Sequence, residues 1–207
     1  MSSEQMGAVH SYPDSPKGYH HFIQTCERNG TCFVNKNVLV LGCGSGSFTN
    51  ALSQHQVHVT GLDRSEEKLK VAKSQNEKII YRKGDAEHLP FEKDSFDIVV
   101  AFGVWHLFDR PKVLSEVSRV LNDKGLLFIA QEAMHSAERQ TKILPHFPEV
   151  WSKEWQETKW QIKDQWQVQP LPSSSEREKT FFQNDQRVHE TNFMEVETSY
   201  SCITLKK

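Results

Sequence analysis

The feature that most constrains the fold is a short apolar run that ends in a cluster of glycines. Val38–Leu41 is wholly apolar, as expected for a parallel strand that is covered on both faces. The turn Gly42–Gly46, with the sequence Gly-Cys-Gly-Ser-Gly, follows it, and a helical stretch begins at Ser47. Glycines allow a sharp turn and the close approach of a ligand, and a helix start offers unpaired N–H groups. The combination favours a nucleotide site, although a glycine-rich turn alone is weak evidence.

Strand and helix patterns alternate along the middle of the chain. Further segments typical of strands occur at Val57–Asp63, Ile79–Tyr81, Phe96–Phe102 and Leu126–Ala130. Between them, Ser65 is a candidate N-cap with Glu66 and Glu67 in the first helical turn, and Asp109 and Pro111 open another helix. This alternation predicts an α/β fold with a doubly wound, mostly parallel sheet.

Two acidic residues come at the ends of predicted strands. Asp63 ends the second strand, where a carboxylate can accept hydrogen bonds from ribose hydroxyls. Asp85 ends the third, where it and the N–H of Ala86 could bind an adenine edge. The alternatives are a helix cap for Asp63 and an ordinary turn residue for Asp85. Because open α/β sheets bind ligands at the carboxyl ends of their strands, we expect both acids and the glycine turn to form one site.

Composition excludes several other classes of protein. The 25 basic and 27 acidic residues give a net charge of −2, so no nucleic-acid partner is expected. No apolar run approaches the roughly 20 residues that cross a bilayer, and residues 1–10 lack a signal peptide's apolar stretch, so we expect a cytoplasmic protein. The four cysteines are expected to be free thiols, and the ten histidines show no zinc-ligand spacing, so no metal is expected.

An ordered set of motifs resembles the class I S-adenosylmethionine-dependent methyltransferases, especially the subgroup with ubiquinone-biosynthesis C-methyltransferases and trans-aconitate methyltransferase. The motifs are Val38–Gly46, Gly61–Asp63, Gly84–Phe91, Ser95–Val99 and Arg119–Leu127. They span nearly half of the chain. The resemblance implies a Rossmann-like fold, S-adenosyl-L-methionine as cofactor, and methyl transfer to a small-molecule acceptor such as a carboxylate or a hydroxyl.

The resemblance also implies roles for individual residues. The expected cofactor-binding residues are Gly42, Cys43, Gly44, Gly46, Asp63, Arg64, Asp85, Ala86, Phe102 and Gly103. His106 is a candidate base or substrate-orienting residue, or else it packs at the entry of the next helix. Trp105 is a candidate pocket wall, and Tyr19, His20 and His21 would join the substrate pocket if the N-terminal segment folds over it.

The chain departs from the family in two places. Many relatives have an acid two residues before the first motif glycine, where this chain has Val40. Relatives end their sheet with a strand pair, and we identify only one candidate strand, around Phe193–Ile203. These departures leave open a natural short form, a truncated product or a non-catalytic, methyltransferase-derived interaction protein. A nicotinamide-dependent oxidoreductase is a further alternative, but it would not explain the block Gly84–Phe91.

We expect one domain over residues 1–207, with an N-terminal cap segment (1–37), a cofactor-binding core (38–133) and a tryptophan-rich cover region with the last strand (134–207). In that region Trp151, Trp155 and Trp166 fall on one side of a predicted helix. This stripe either packs on the sheet or over the pocket, or binds a partner. A monomer and a dimer are both compatible with the sequence.

Overall fold

A mostly parallel sheet with helices on both faces follows the strand–helix alternation of the sequence. The computed structural model of the chain describes residues 16–136, 160–168 and 196–206. Its helices are α1 Pro16–Arg28, α2 Ser47–Ser53, α3 Glu66–Gln75 and α4 Arg110–Val120, with a short 3₁₀ turn at Trp105–Leu107. Its strands are β1 Asn37–Leu41, β2 His58–Asp63, β3 Ile80–Lys83, β4 Phe96–Phe102, β5 Leu121–Ser136, β6 Gln161–Val168 and β7 Val196–Lys206. The predicted doubly wound α/β fold is confirmed.

The seven strands form one sheet in the order β3-β2-β1-β4-β5-β7-β6. Strands β1 to β5 pair in parallel, and β7 runs antiparallel to both β5 and β6. The strand order reverses between β1 and β4, which is where open α/β sheets form their ligand crevice. The turns that follow β1, β2, β3 and β4 therefore meet at one edge of the sheet.

The sheet buries apolar side chains on both faces because residues in a strand alternate in direction. In β1, Val38 and Val40 belong to one buried cluster and Leu39 and Leu41 to the other. The first cluster includes residues of α1, α2 and α3, and the second includes residues of α4. We call these the α1 face and the α4 face. Burial on both faces explains why this strand is apolar throughout.

Local signals in the sequence set several element boundaries. The Ser65 hydroxyl accepts a hydrogen bond from the Lys68 N–H at 3.2 Å, which confirms the predicted N-cap of α3. Asp109 precedes α4 as predicted, but its carboxylate pairs with Lys112 at 2.8 Å and does not cap the helix. Residues 122–125 lie inside β5, where the register with β4 shifts.

The C-terminal strand pair is complete, which corrects the expectation of a single strand. The tryptophan spacing predicted a helix that reached Trp166, yet Gln161–Val168 forms β6 and pairs with β7. This segment also alternates in polarity, because Gln161, Lys163, Gln165 and Gln167 stand at every second position. Pairing with β7 favours this alternation over the helical period. Trp151, Trp155, the N-terminal residues 1–15 and Phe193 lie outside the described residues.

The described residues contain no candidate membrane span and no candidate metal site, and their cysteines form no disulfide. Of the helices there, none combines the length and apolar character needed to cross a bilayer. No three His, Cys, Asp or Glu side chains of residues 16–136, 160–168 and 196–206 are grouped so that they could hold a metal ion. All four cysteines are free thiols; Cys26 and Cys202 are buried and Cys32 is exposed.

Candidate functional site

The glycine turn after β1 depends on backbone conformations that favour glycine. Gly42, Gly44 and Gly46 have φ angles of 59°, 56° and 86°. A Cβ on Gly46 would lie 2.6 Å from the Tyr81 hydroxyl, so this glycine also permits close packing beneath the turn. A Cβ on Gly44 would meet nothing within 4 Å. The turn is therefore packed on one side and open at Gly44, as a backbone surface for a ligand must be.

Asp63, at the end of β2, holds this turn. Its Oδ2 accepts a hydrogen bond from the Gly44 N–H at 2.8 Å, and its Oδ1 accepts one from the Ser65 N–H at 2.8 Å. A carboxylate has about four acceptor positions, so two backbone bonds leave capacity for hydroxyl donors. Asp63 therefore has a local structural role, which is the alternative to ligand binding that the sequence leaves open. The two roles are compatible, because a fixed carboxylate is a better-positioned acceptor.

Asp85, at the end of β3, is joined to β2 through Arg64. Its Oδ1 accepts from the Arg64 guanidinium at 2.6 Å and from the Glu87 N–H at 2.9 Å. Arg64 also reaches Glu87 at 3.4 Å, and Glu87 pairs with Lys112 of α4 at 3.5 Å. Burial opposes ionisation of Asp85, but the bonds from Arg64 and Glu87 outweigh it and lower the pKa of the carboxyl. Asp85 is therefore an ionised acceptor at neutral pH, beside the buried Ala86.

The end of β4 completes the edge from the other side of β1. Gly103 has a φ of 69°, and a Cβ there would meet nothing within 4 Å. The preceding Phe102 stacks on Phe48 of α2, with ring centroids 4.5 Å apart and an interplanar angle of 11°. Tyr19 of α1 meets both rings edge-on, with centroids at 5.9 Å from Phe48 and 6.0 Å from Phe102. Helix α1 thus joins the glycine turn's helix to the end of β4.

Trp105 and His106, the two residues after Val104, lie in different environments. Trp105 is fully buried in the α4 face and packs edge-on against Phe108. His106 is exposed, and the adjacent Leu107 is 67% exposed, a high value for a leucine. An exposed imidazole on this edge is accessible to a substrate, whereas Trp105 is part of the core beside α4.

The N-terminal histidines sit on α1, near the site but with different partners. Tyr19 contacts the aromatic residues at the site, as described above, whereas the His20 ring bonds to His55 at 2.9 Å. His21 is half-buried, and its carbonyl accepts a hydrogen bond from the Thr25 hydroxyl. Of these three residues, Tyr19 is the one that contacts the aromatic side chains at this edge of the sheet.

Cys43, inside the glycine turn, is not poised for nucleophilic chemistry. Burial, together with the negative charge of Asp63, raises the pKa of its thiol to about 12. It stays protonated at neutral pH, and a thiol is a poor nucleophile compared with a thiolate. Burial likewise raises the pKa of the neighbouring Tyr81 to about 12. Both side chains therefore pack beneath the turn as neutral groups.

Glu116 and Arg119 of α4 form a pair that supports the site and was not among the site residues expected from the sequence. On α4, Glu116 accepts from the Leu89 N–H at 2.7 Å, and Arg119 donates to the carbonyls of Phe91 and Leu89 at 2.7 and 2.9 Å. Glu116 and Arg119 also pair with each other at 2.7 Å. The pair fixes the segment that follows Asp85. Its signal was the i, i+3 spacing of an acid and a base on the helix.

The central residues are similar in sequence to known methyltransferases. A family model described as a methyltransferase domain matches residues 39–129. A demethylmenaquinone methyltransferase from Thermotoga maritima is 38% identical over 120 residues, which is 56% of this chain and 52% of that protein. The chain thus spans about half the length of this relative.

Solved structures give the same fold. The YcgJ protein from Bacillus subtilis superposes with a TM-score of 0.61 at 20% identity, covering 91% of this chain and 99% of that one. Phosphoethanolamine N-methyltransferase 2 from Haemonchus contortus, in complex with S-adenosyl-L-methionine, superposes with a TM-score of 0.56 at 23% identity, covering 75% and 39%. Residues 39–129 are therefore similar in sequence to methyltransferase domains, and the sheet has the same fold as these solved structures.

Proposed function

We propose that the protein transfers a methyl group from S-adenosyl-L-methionine to a small-molecule acceptor, at the oxygen of a carboxylate or a hydroxyl. The observation that carries the proposal is the Asp63 carboxylate, which bonds the Gly44 N–H at the open side of the glycine turn. Asp85, ionised at the end of the next strand, supports it. The residues fit an adenosine, because ribose hydroxyls and an adenine amino group are donors that need fixed acceptors at this edge.

The proposed binding roles follow the strand ends. Gly42, Cys43, Gly44 and Gly46 would hold the methionine and ribose portions of the cofactor. Asp63 and Arg64 would hold the ribose, Asp85 and Ala86 the adenine, and Phe102 and Gly103 would lie beside the methyl group. When bound, the cofactor supplies an electrophilic methyl group on a sulfonium. The protein's own contribution is then largely proximity and orientation in a site shielded from water.

The acceptor side is proposed to involve Trp105, His106 and the N-terminal residues Tyr19, His20 and His21. A carboxylate acceptor needs no base, whereas a hydroxyl acceptor needs one. His106 is the candidate because it is exposed at this edge and an imidazole titrates near neutral pH. We also propose that residues 1–207 act as one domain, since α1 packs on the core and β7 completes its sheet.

Incubation with methyl-labelled S-adenosylmethionine and a panel of acceptors tests the proposal. The panel would contain carboxylic acids, phenols and demethylmenaquinone, the acceptor named for the Thermotoga relative. Label transfer by the wild type that is lost in Asp63→Asn supports methyl transfer. With a hydroxyl acceptor, His106→Ala should lower kcat by about 100-fold or more, and with a carboxylate acceptor it should leave kcat unchanged. No transfer to any class would reject the activity for these acceptors.

A second candidate function is a non-catalytic interaction protein derived from a methyltransferase. It is favoured by Val40, which is 2% exposed on the α1 face at a position where many relatives have an acid. An acid there helps to organise the amino-acid end of the cofactor in those relatives. If calorimetry shows that the folded chain does not bind S-adenosylhomocysteine, this second function replaces the first.

A further inference from the structure

Two histidine rings join α1 to the end of α2. His20 Nδ1 and His55 Nε2 are 2.9 Å apart, and the ring centroids are 5.1 Å apart. His20 lies on α1, and His55 lies two residues after Ser53, where α2 ends. The other side of the His55 ring faces α1 again, because His55 Nδ1 is 3.9 Å from Glu27 Oε2. The His55 side chain is only 14% exposed.

A hydrogen bond between two imidazole nitrogens depends on their protonation. One nitrogen must donate a proton and the other must offer a lone pair. The pair meets this requirement when both rings are neutral and when one of them is protonated. When both rings are protonated, each ring nitrogen carries a hydrogen, so the bond is lost and two positive charges face each other. The histidine hydrogen bond between α1 and the end of α2 is therefore kept only above the pH at which both rings become protonated.

The surroundings of His55 influence the pH at which the second ring of the pair becomes protonated. Burial lowers the pKa of His55, and the charge of His20 lowers it further, while Glu27 acts in the opposite direction. Glu27 and His20, both on α1, are the charged groups of the described residues that act on this ring. Histidine in an unfolded chain titrates near pH 6.5. Because burial and a neighbouring positive ring both oppose protonation of His55, the fully protonated pair forms only in acidic solution.

Helix α1 carries this change to the candidate site. Tyr19, the neighbour of His20, contacts Phe48 and Phe102, and Phe22 contacts Phe102 with ring centroids 5.0 Å apart. Phe48 belongs to the first turn of α2, directly after the glycine turn, and Phe102 precedes Gly103. The position of α1 therefore sets the aromatic wall between the glycine turn and the end of β4.

We propose that His20 and His55 are positioning residues that hold α1 over the cofactor site while they share at most one extra proton, and that release α1 when both rings are protonated. Cofactor affinity then falls in mildly acidic solution although neither ring touches the cofactor. This inference rests on the proposed function, because it assumes that the site at the end of β1 binds S-adenosylmethionine.

The test is calorimetric titration of the full chain with S-adenosylhomocysteine at pH 8 and pH 5.5, together with hydrogen exchange of the α1 amides. His55→Gln keeps an acceptor for His20 and cannot be protonated, and His55→Ala removes the bond at both pH values. His58→Gln is the matched control, because His58 is exposed at the start of β2. The wild type and His58→Gln should bind about fivefold more weakly at pH 5.5, the effect of one ordinary hydrogen bond, with faster exchange in α1.

The variants separate the outcomes. His55→Gln should show little change in affinity or α1 exchange between the two pH values, and His55→Ala should bind weakly at both. An equal loss of affinity at pH 5.5 in His55→Gln and the wild type would overturn the inference, as would a wild-type affinity that does not change. If the wild type binds no S-adenosylhomocysteine at pH 8, the proposed function fails. Exchange of the α1 amides then still tests the role of the pair: faster exchange at pH 5.5 in the wild type and His58→Gln, but not in His55→Gln, supports it, and equal exchange in all three overturns it.

Discussion

Asp63 has a structural role, and we propose a functional role for the same carboxylate. Each of its oxygens accepts one backbone N–H, from Gly44 and from Ser65. A residue with this geometry fixes the turn after β1 relative to the start of α3 before any ligand binds. Loss of the carboxylate should therefore affect affinity more than folding, because the ligand needs the remaining acceptor positions and the correct turn together.

Asp63→Asn should weaken binding of S-adenosylhomocysteine by about tenfold or more, since a hydrogen bond to a charged group contributes about 1.5–3 kcal/mol. The amide can accept only one of the two N–H bonds, so its NH₂ group faces the other donor. Asp97→Asn is a matched control. Asp97 also accepts one backbone N–H, from Asn37 at 2.8 Å, but it lies at the opposite edge of the sheet. Calorimetry should show affinity loss for Asp63→Asn only; equal losses would remove Asp63 from the site.

The glycines of the turn should differ in what an added methyl group does. Gly46→Ala should lower the free energy of unfolding by about 2–4 kcal/mol, because the left-handed conformation and the contact with the Tyr81 hydroxyl both oppose a Cβ. Gly44→Ala meets open space and should cost about 1–2 kcal/mol from its conformation alone. Urea denaturation measures both. A Gly44 variant as unstable as the Gly46 variant would contradict the packed and open sides assigned to the turn.

For individual residues, the sequence predicts which ones lie next to strand ends. It does not predict contacts between residues that are distant in sequence and come together only in the folded chain. Gly44, Asp63 and Asp85 were identified because their positions follow from the order of strands. The bond between Arg64 and Asp85 depends on the pairing of β2 with β3, and that between His20 and His55 joins residues 35 positions apart. No local spacing encodes such contacts.

Among the elements, α4 does more than cover the sheet. Glu116 and Arg119 bind the backbone of the segment after Asp85 at both its N–H and its carbonyl groups. The bond from Arg119, opposed by partial burial, lowers the pKa of Glu116 below its ordinary value of 4.5. Ionised Glu116 therefore stabilises the folded state above about pH 4.5, and this contribution is lost as the pH falls through its lower folded-state pKa.

Glu116→Gln should lower the free energy of unfolding at pH 7 by about 1 kcal/mol, a modest value because Arg119 is 37% exposed. The difference between variant and wild type should shrink as the pH falls below 4.5 and vanish below the lower folded-state pKa, where Glu116 is neutral as well. Urea denaturation at pH 7 and in acid measures it. A difference that stays constant with pH would mean that the charge of Glu116 does not contribute.

Elements were predictable where one period dominated the sequence. β1 and β4 carry continuous apolar runs, Val38–Leu41 and Ile98–Phe102, because both faces of these strands are largely buried, and no helical spacing competes with that pattern. In β6 two periods coexist: the tryptophan spacing fits a helix, and the polar residues at every second position fit a strand. Pairing with β7 decides between them, and that pairing is a long-range interaction which a single segment does not reveal.

At the scale of the whole molecule, the strand order brings four turns to one edge. Three of them carry Gly44, Asp63 and Asp85, and the fourth carries Gly103. The order β3-β2-β1-β4-β5 places the ends of successive parallel strands side by side, so the candidate site is a consequence of topology and not of any one segment. The sequence motifs predicted this arrangement because they occur at successive strand ends.

Binding of S-adenosylhomocysteine by the full chain tests the central claim most directly. At a ligand concentration of about 100 times Kd, linkage predicts a stabilisation of about 2.7 kcal/mol and a rise in Tm of about 5–10 °C. NAD at the same concentration should leave Tm unchanged. One-to-one binding of S-adenosylhomocysteine in calorimetry, with no binding of NAD, is the expected result; a folded chain that binds NAD or neither ligand would contradict the assignment of this site.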